Sequence, residues 1–187
     1  MSIEMPFTFV GIFNLNKNKM QNIGIFYGSS TGNTESVAKK IQEEFGADIA
    51  TIIDVADASA SDLEKFNNLI LGTSTWGIGD LQDDFEGFLS EISNANIDGK
   101  KVALFGLGDQ YSYSDSFVDG LGELFKALEE KNCELVGETS TDGYEYDASE
   151  AEKDGKLVGL AIDIDNQDDQ TEERVADWVA ELKNQFN

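Results

Sequence analysis

Short apolar runs alternate with amphipathic stretches along most of the chain. Val37, Ile41 and Phe45 recur at the spacing of one helix face, whereas the run 23–27 is apolar throughout. Further apolar runs predict strands at 49–55, 69–72, 101–106 and, as the start of a fifth strand, 134–137. Strands of this kind separated by helices are typical of a parallel sheet covered on both faces. The pattern therefore predicts an α/β protein with an open, doubly wound, five-stranded parallel sheet.

One internal segment departs from this alternation. Residues 138–156 are polar, contain two tyrosines and show no helical stripe, and the apolar run 157–162 follows them. We expect this segment to be a loop inserted into or after the fifth strand.

The first residues of the chain are predicted to lie outside the fold. The apolar stretch 6–13 is short, and Lys17 and Lys19 follow it, whereas a secretory signal has its positive charge before the apolar stretch. We therefore expect a domain of residues 20–187 preceded by an extension of residues 1–19. Localisation is expected to be cytoplasmic.

Composition excludes several classes of chemistry. The 187 residues include 37 acidic and 13 basic side chains, no histidine and one cysteine, Cys133. A net charge of -24 repels nucleic acid and anionic lipid, so neither is an expected partner. The missing histidines remove Ser-His-Asp triads and His-ligated zinc, and no catalytic or metal-ligating residue is predicted. No apolar run is long enough to span a membrane.

The loop after the first strand indicates a phosphate site. Residues 28–34 are rich in hydroxyl groups and lead into a helix N-terminus, where backbone N–H groups hold phosphate without a cation. A P-loop is excluded because the loop holds no lysine, the next one being Lys39, and a dinucleotide fingerprint is excluded because the loop's only glycines are Gly28 and Gly32.

The loops after the third and fourth strands carry aromatic side chains. Trp76 lies in a glycine-rich stretch after the third strand, and Tyr111 and Tyr113 follow the fourth. Parallel strands place these loops at the same sheet edge as the phosphate loop. Two aromatic loops beside a phosphate loop indicate a flat aromatic ligand held between rings.

These residues resemble the flavodoxins, specifically the long-chain type. The motifs that carry the resemblance are Ser29-Ser30-Thr31-Gly32-Asn33-Thr34, Thr75-Trp76-Gly77-Ile78-Gly79, Gly108-Asp109-Gln110-x-x-Tyr113 and Asp163-x-Asp165-Asn166-Gln167. The resemblance runs from Met20 to the C-terminus. It implies a flavodoxin-like sheet of order 2-1-3-4-5, a family loop at residues 138–156, and FMN as cofactor at the point where strand order reverses.

The resemblance also implies which residues bind the cofactor. The FMN phosphate would sit on residues 29–34, and the isoalloxazine ring would lie between Trp76 and Tyr113. Tyr111 is left out. The complete set of implied cofactor-binding residues is Ser29, Ser30, Thr31, Gly32, Asn33, Thr34, Thr75, Trp76, Gly77, Ile78, Gly108, Asp109, Tyr113 and Ser116.

The activity implied by the resemblance is low-potential one-electron transfer, in which FMN cycles between semiquinone and hydroquinone. Asp109 and the overall negative field would disfavour the anionic hydroquinone. Rotation of the Gly77 peptide would present an acceptor to the flavin N5 proton, since glycine permits that rotation. The implied partners are basic redox proteins, such as a ferredoxin/flavodoxin-NADP reductase, and the chain is expected to be a monomer.

Three alternatives remain at this stage. An FMN-dependent NAD(P)H:quinone reductase would use the same fold, but the loops hold no spare basic residue for a dinucleotide phosphate. A phospho-acceptor receiver domain needs acidic residues where this chain has Tyr27-Gly28 and Gly72-Thr73. In an acidic interaction module, the same loops would be merely structural.

Overall fold

A computed structural model describes residues 22–186. The helices are α1 (Asn33–Phe45), α2 (Ala60–Glu64), α3 (Asp83–Asn94), α4 (Asp119–Glu129), α5 (Ile164–Gln167) and α6 (Thr171–Gln185). The strands are β1 (Ile23–Tyr27), β2 (Ala50–Asp54), β3 (Asn68–Trp76), β4 (Asp80–Leu81), β5 (Lys101–Leu107), β6 (Glu134–Val136), β7 (Thr139–Ser140), β8 (Glu152–Lys153), β9 (Lys156–Leu157) and β10 (Leu160–Ile162). The predicted extension, residues 1–19, lies outside the described residues.

The main sheet is parallel apart from the short strand β4, which pairs antiparallel with β3, and it has the predicted strand order. β2, β1, β3 and β5 lie side by side, and both β6 and β10 pair with β5. β6 pairs with the first residues of β5, Lys101–Ala103, and β10 pairs with its last residues, Phe105–Leu107. The fifth strand is thus interrupted, and the interruption contains the predicted insertion. The flavodoxin-like fold class is confirmed.

Each face of the sheet has its own apolar core. Phe26 and Leu104 point to the face covered by α3 and α4, where Phe85 and Leu121 are fully buried. The opposite face belongs to the second core, in which Ile25, Val37 and Val179 are each 0% exposed. Neighbouring side chains alternate between these two layers because a strand has a period of two. This arrangement explains why the strands are apolar on both faces.

The inserted segment has secondary structure that the sequence did not predict. β7, β9 and β8 form a small antiparallel sheet in that order. Asp154 and Gly155 join β8 to β9 with φ of 52° and 77°, which is the two-residue turn that twisted hairpins favour. Strands of two residues are too short to show alternating polarity, so the polar pattern indicated only a loop.

The third strand is longer than the prediction. β3 continues through Trp76, so residues 73–76 belong to a strand rather than to the loop that follows it. Trp76 pairs with Asp80 of β4, and the chain reverses in the turn between them. The extension places Trp76 past the last residue of β3 that pairs with β5, near the loops that follow β1 and β5.

Candidate functional site

A cavity of about 250 Å³ opens at the carboxyl ends of β1, β3, β5 and β10. Four separate segments of the chain form its wall. The lining residues are Thr31, Asn33, Thr34, Ser74, Thr75, Trp76, Gly77, Leu107, Gly108, Asp109, Tyr113, Ile164 and Asp165. The position at the reversal of strand order is the one where open α/β sheets bind ligands.

The N-terminus of α1 forms one wall. Its N-cap residue is Gly32, with φ of 89°, and no side chain accepts a hydrogen bond there. The first N–H groups of a helix have no partner within the helix, and they attract anions together with the helix dipole. Ser29 Oγ accepts a hydrogen bond from the Gly32 N–H at 3.1 Å and closes the loop that precedes the helix. The geometry favours an anion such as phosphate at this end of the cavity.

Gln82 connects this loop to α3, and sequence reasoning missed it. Its side chain is 1% exposed, and Nε2 donates to Ser30 Oγ at 3.2 Å. Oε1 accepts from the N–H of Phe85 at 3.0 Å, so the same residue caps α3. A Cβ on Gly28 would lie 2.3 Å from Gln82 Oε1. A side chain at this position, directly after β1, would displace the Gln82 amide that caps α3.

A tight turn carries Trp76 at the second wall. The N–H of Gly79 donates to the carbonyl of Trp76 at 3.1 Å, and Gly77 has φ of 55°. The indole Nε1 donates to Ser74 Oγ at 2.9 Å, which orients a ring that remains 43% exposed. Trp76 thus presents a fixed aromatic surface at the mouth of the cavity.

The loop after β5 supplies the third wall. Tyr113 is 52% exposed and lines the cavity, whereas Tyr111 is exposed outside the lining. Asp109 Oδ1 accepts hydrogen bonds from the N–H groups of Tyr111 and Ser112, at 3.0 and 2.8 Å, and from Asn166 Nδ2 at 2.8 Å. These three donors fix the carboxylate at the base of the loop.

Hydrogen bonding decides the charge state of Asp109. Burial by itself would raise the pKa of this carboxyl. The bonds from Ser112, Asn166 and Tyr111 outweigh burial and hold its pKa below the usual value, because they favour the ionised form. A negative charge therefore sits in the cavity wall at neutral pH.

The structure brings most of the predicted residues together. Those that line the cavity are Thr31, Asn33, Thr34, Thr75, Trp76, Gly77, Gly108, Asp109 and Tyr113. Those outside the lining are Ser29, Ser30, Gly32, Ile78 and Ser116. Ser29 and Ser30 instead shape the phosphate loop through the bonds described above. Ser116 is buried, and its N–H donates to the carbonyl of Tyr113.

Four lining residues were not among the predictions. They are Ser74, Leu107, Ile164 and Asp165. Asp165 lies inside a motif that carried the family resemblance, and Ser74 directly precedes another, so their sequence neighbours were the available signal. Leu107 and Ile164 had no chemical signal, because an apolar residue at a strand end resembles core.

The electrostatics of the cavity are negative. The lining holds Asp109 and Asp165 and neither lysine nor arginine. Between residues 22 and 186, no group of three or more acidic or cysteine side chains is arranged to hold a metal ion. Over the same residues, none of the helices has the length and apolar character to span a membrane.

Comparison with known proteins places the chain in a family. The sequence model of the family described as Flavodoxin matches residues 25–178. A flavodoxin of Nostoc sp. is 48% identical over 166 residues, which are 89% of this chain and 98% of that protein. A flavodoxin of Helicobacter pylori is 44% identical over 167 residues, covering 89% and 99%.

A solved structure gives the same result. The Fusobacterium nucleatum flavodoxin, crystallised bound to flavin mononucleotide, superposes with a TM-score of 0.85 at 34% identity. The match covers 90% of this chain and all of that one. Alignments of this length, with a fifth strand split by an insertion, agree with the long-chain type. The chain belongs to the flavodoxin family.

Proposed function

We propose that this protein carries electrons one at a time between redox partners by means of a non-covalently bound FMN. The family assignment supports an electron-transfer protein rather than an enzyme. The single observation that carries the proposal is the cavity itself, where an α1 N-terminus without a side-chain cap faces a mouth flanked by Trp76 and Tyr113.

The residues present fit FMN at both of its ends. The free N–H groups of α1, with the hydroxyls of Thr31 and Thr34, are the donor set that a phosphate monoester needs. The two exposed aromatic rings offer faces against which a flat heterocycle stacks. FMN supplies the redox chemistry when bound, by accepting and releasing single electrons. The protein binds it, orients it and sets its potential.

The negative charges in the cavity wall are proposed to affect the reduction potential of bound FMN. A flavin that becomes anionic on full reduction would do so beside Asp109 and Asp165, with no cation in the lining. Repulsion between like charges makes the second electron harder to add. The fully reduced cofactor is therefore proposed to be a strong reductant.

The direct test is an absorbance spectrum with an anaerobic reductive titration. Purified protein, or apoprotein given FMN, is expected to bind one flavin and to pass through a one-electron-reduced form. The enzyme alternative is checked in the same sample, since a reductase would oxidise NADPH without a partner. Protein that neither carries nor binds FMN would refute the proposal.

The finer features of the function are proposals of the same kind. The partners are proposed to be basic redox proteins such as a ferredoxin/flavodoxin-NADP reductase, because the chain carries a net charge of -24. The protein is proposed to act as a cytoplasmic monomer whose folded domain is residues 20–187. Steering between opposite charges predicts transfer rates that fall as salt rises, whereas rates independent of salt would contradict it.

A further inference from the structure

One amide connects two carboxylates at the edge of the cavity. Asn166 lies in α5, and its Nδ2 donates to Asp109 Oδ1 at 2.8 Å and to both carboxylate oxygens of Asp163 at 3.0 Å. An amide nitrogen carries two hydrogens, so it can serve one carboxylate with each. The two acidic side chains come from the ends of different strands and share this one donor group.

Asp163 is the fixed member of the pair. It is 1% exposed, and it also accepts hydrogen bonds from the N–H of Gln110 and of Asn166, both at 3.1 Å. Asp163 is the N-cap of α5, so the start of that helix and the Asn166 side chain are oriented together. These bonds hold the amide toward Asp109.

Asp109 is the more exposed member of the pair, since it is half-buried whereas Asp163 is fully buried. Without the amide, Asp109 would keep only the two N–H donors of its own loop, from Tyr111 and Ser112. Its carboxylate and that of Asp163 would also lose the donor that they share. Like charges repel, and a partly exposed side chain relieves the repulsion by turning into solvent.

We propose that Asn166 is a positioning residue that holds the Asp109 carboxylate ionised and against the cavity wall, and that it thereby disfavours full reduction of the flavin. This inference rests on the proposed function, because it concerns the potential of bound FMN. The direction of the Asp109 pKa agrees, since Asn166 is among the donors that lower it. The other titratable groups around Asp109 are Asp163, Asp165, Tyr111 and Tyr113.

The first arm of the test uses apoprotein and needs no flavin. The pKa of the Asp109 carboxyl is followed by carbon-13 NMR in wild type, Asn166→Ala and Asn166→Ser. Both variants are expected to raise it, because a donor to the ionised form is lost. Gln167→Ala is the matched control, since Gln167 is in the same helix and donates to the carbonyl of Gly143. An unchanged Asp109 pKa in well-folded variants would overturn the inference.

The second arm is a double-mutant cycle on holoprotein. Asn166→Ala is expected to move the potential for the second electron to a less negative value. The expected shift corresponds to an about threefold change in the ratio between the dissociation constants of the one-electron-reduced flavin and the fully reduced flavin. In an Asp109→Asn background the same substitution should have little effect. An equal shift in both backgrounds, or a shift to more negative values, would show that Asn166 does not act through Asp109.

The two arms separate the possible failures. If wild-type protein binds no FMN, the proposed function fails, while the NMR titration still reports whether Asn166 controls Asp109. If FMN binds and the cycle shows no coupling, only the role of Asn166 is refuted. Asn166→Ser preserves a polar group near Asp163 and serves in both arms if Asn166→Ala does not fold.

Discussion

The two edges of the main sheet differ in how the backbone groups at nearby helix termini are hydrogen-bonded. At the edge remote from the cavity, lysine side chains donate to carbonyl groups at helix C-termini. Lys131 Nζ donates to the carbonyls of Ser93 and Ala95 at 2.7 and 3.0 Å, and Lys183 Nζ donates to that of Glu44 at 2.7 Å. A cation there satisfies free acceptors and complements the helix dipole.

At the cavity edge, α1 differs from α3 and α5, which are capped by Gln82 and Asp163. The N-terminus of α1 has no side-chain cap, and the large apolar side chains that are exposed between residues 22 and 186 are Trp76, Ile78, Tyr111 and Tyr113. Trp76 ends β3, and the other three lie in the loops after β3 and β5. The contacts at the remote edge stabilise the fold, whereas the α1 N-terminus and the exposed rings at the cavity edge leave donors and aromatic faces available for a ligand.

The largest predicted effect is on the aromatic walls. Trp76→Ala and Tyr113→Ala should each weaken FMN binding about tenfold or more, because stacking on one ring is worth about 1–3 kcal/mol. Tyr111→Ala is the control, since this tyrosine is as exposed but lies outside the cavity lining. Titration of apoprotein by flavin fluorescence measures all three. Equal losses in the three variants would remove the distinction between wall and surface.

The turn after Trp76 comes next. Gly77→Val should reduce the yield of one-electron-reduced flavin in an anaerobic titration, because Gly77 has φ of 55° and a Cβ would lie 2.9 Å from Asp80 Oδ2. A β-branched residue there costs about 1–3 kcal/mol and resists rotation of the peptide. Gly99→Val imposes the same strain at φ of 70°, in open space away from the cavity. The control should lower stability and leave the yield unchanged; a normal yield in Gly77→Val would exclude the proposed rotation.

The sequence predicted the long buried strands better than the short or polar elements. Apolar runs located β1 and β5 because a strand buried on both faces has no polar positions to obscure it. They also located β2, although this outer strand is only partly buried. The sequence pattern missed α2, whose five residues are too few to show a helical period. It also ended β3 at Gly72, because polar residues continue that strand to Trp76.

In the candidate site, long-range contacts were the limit. The hydroxyl loop and the two aromatics were predicted because their residue types are unusual at those positions. Gln82 and Asn166 act on partners 52 and 57 residues away, and nothing in their local sequence shows this. Their roles follow from the tertiary fold alone.

The remote edge should affect stability and not binding. Lys131→Met removes the donor to the carbonyls of Ser93 and Ala95, and it should lower the free energy of unfolding by about 1 kcal/mol. FMN affinity should not change, because the cavity is at the other end of the strands. Lys153→Met, at an exposed position of β8, is the matched control in urea unfolding. A loss of FMN affinity in Lys131→Met would break the contrast between the edges.

The smallest effect concerns acid stability. Hydrogen bonds from Lys65 and then Ser59 lower the pKa of Asp62 to about 2. A depressed folded-state pKa adds stability above the unfolded value, near 4, and this increment is lost as pH falls toward 2. In Asp62→Asn the free energy of unfolding should therefore depend less steeply on pH between about 4 and 2 than in wild type. If the variant keeps the wild-type dependence of unfolding free energy on pH, the pair of Asp62 and Lys65 contributes no stability, which is common for exposed ion pairs.

The central claim is that the cavity edge binds FMN through both its phosphate and its isoalloxazine ring. Calorimetric titration of apoprotein with FMN, and separately with riboflavin, tests it most directly. The account predicts one FMN per chain and much weaker binding of riboflavin, because riboflavin leaves the N–H groups of α1 without their anion. Equal affinity for the two flavins, or no binding of FMN, would contradict it.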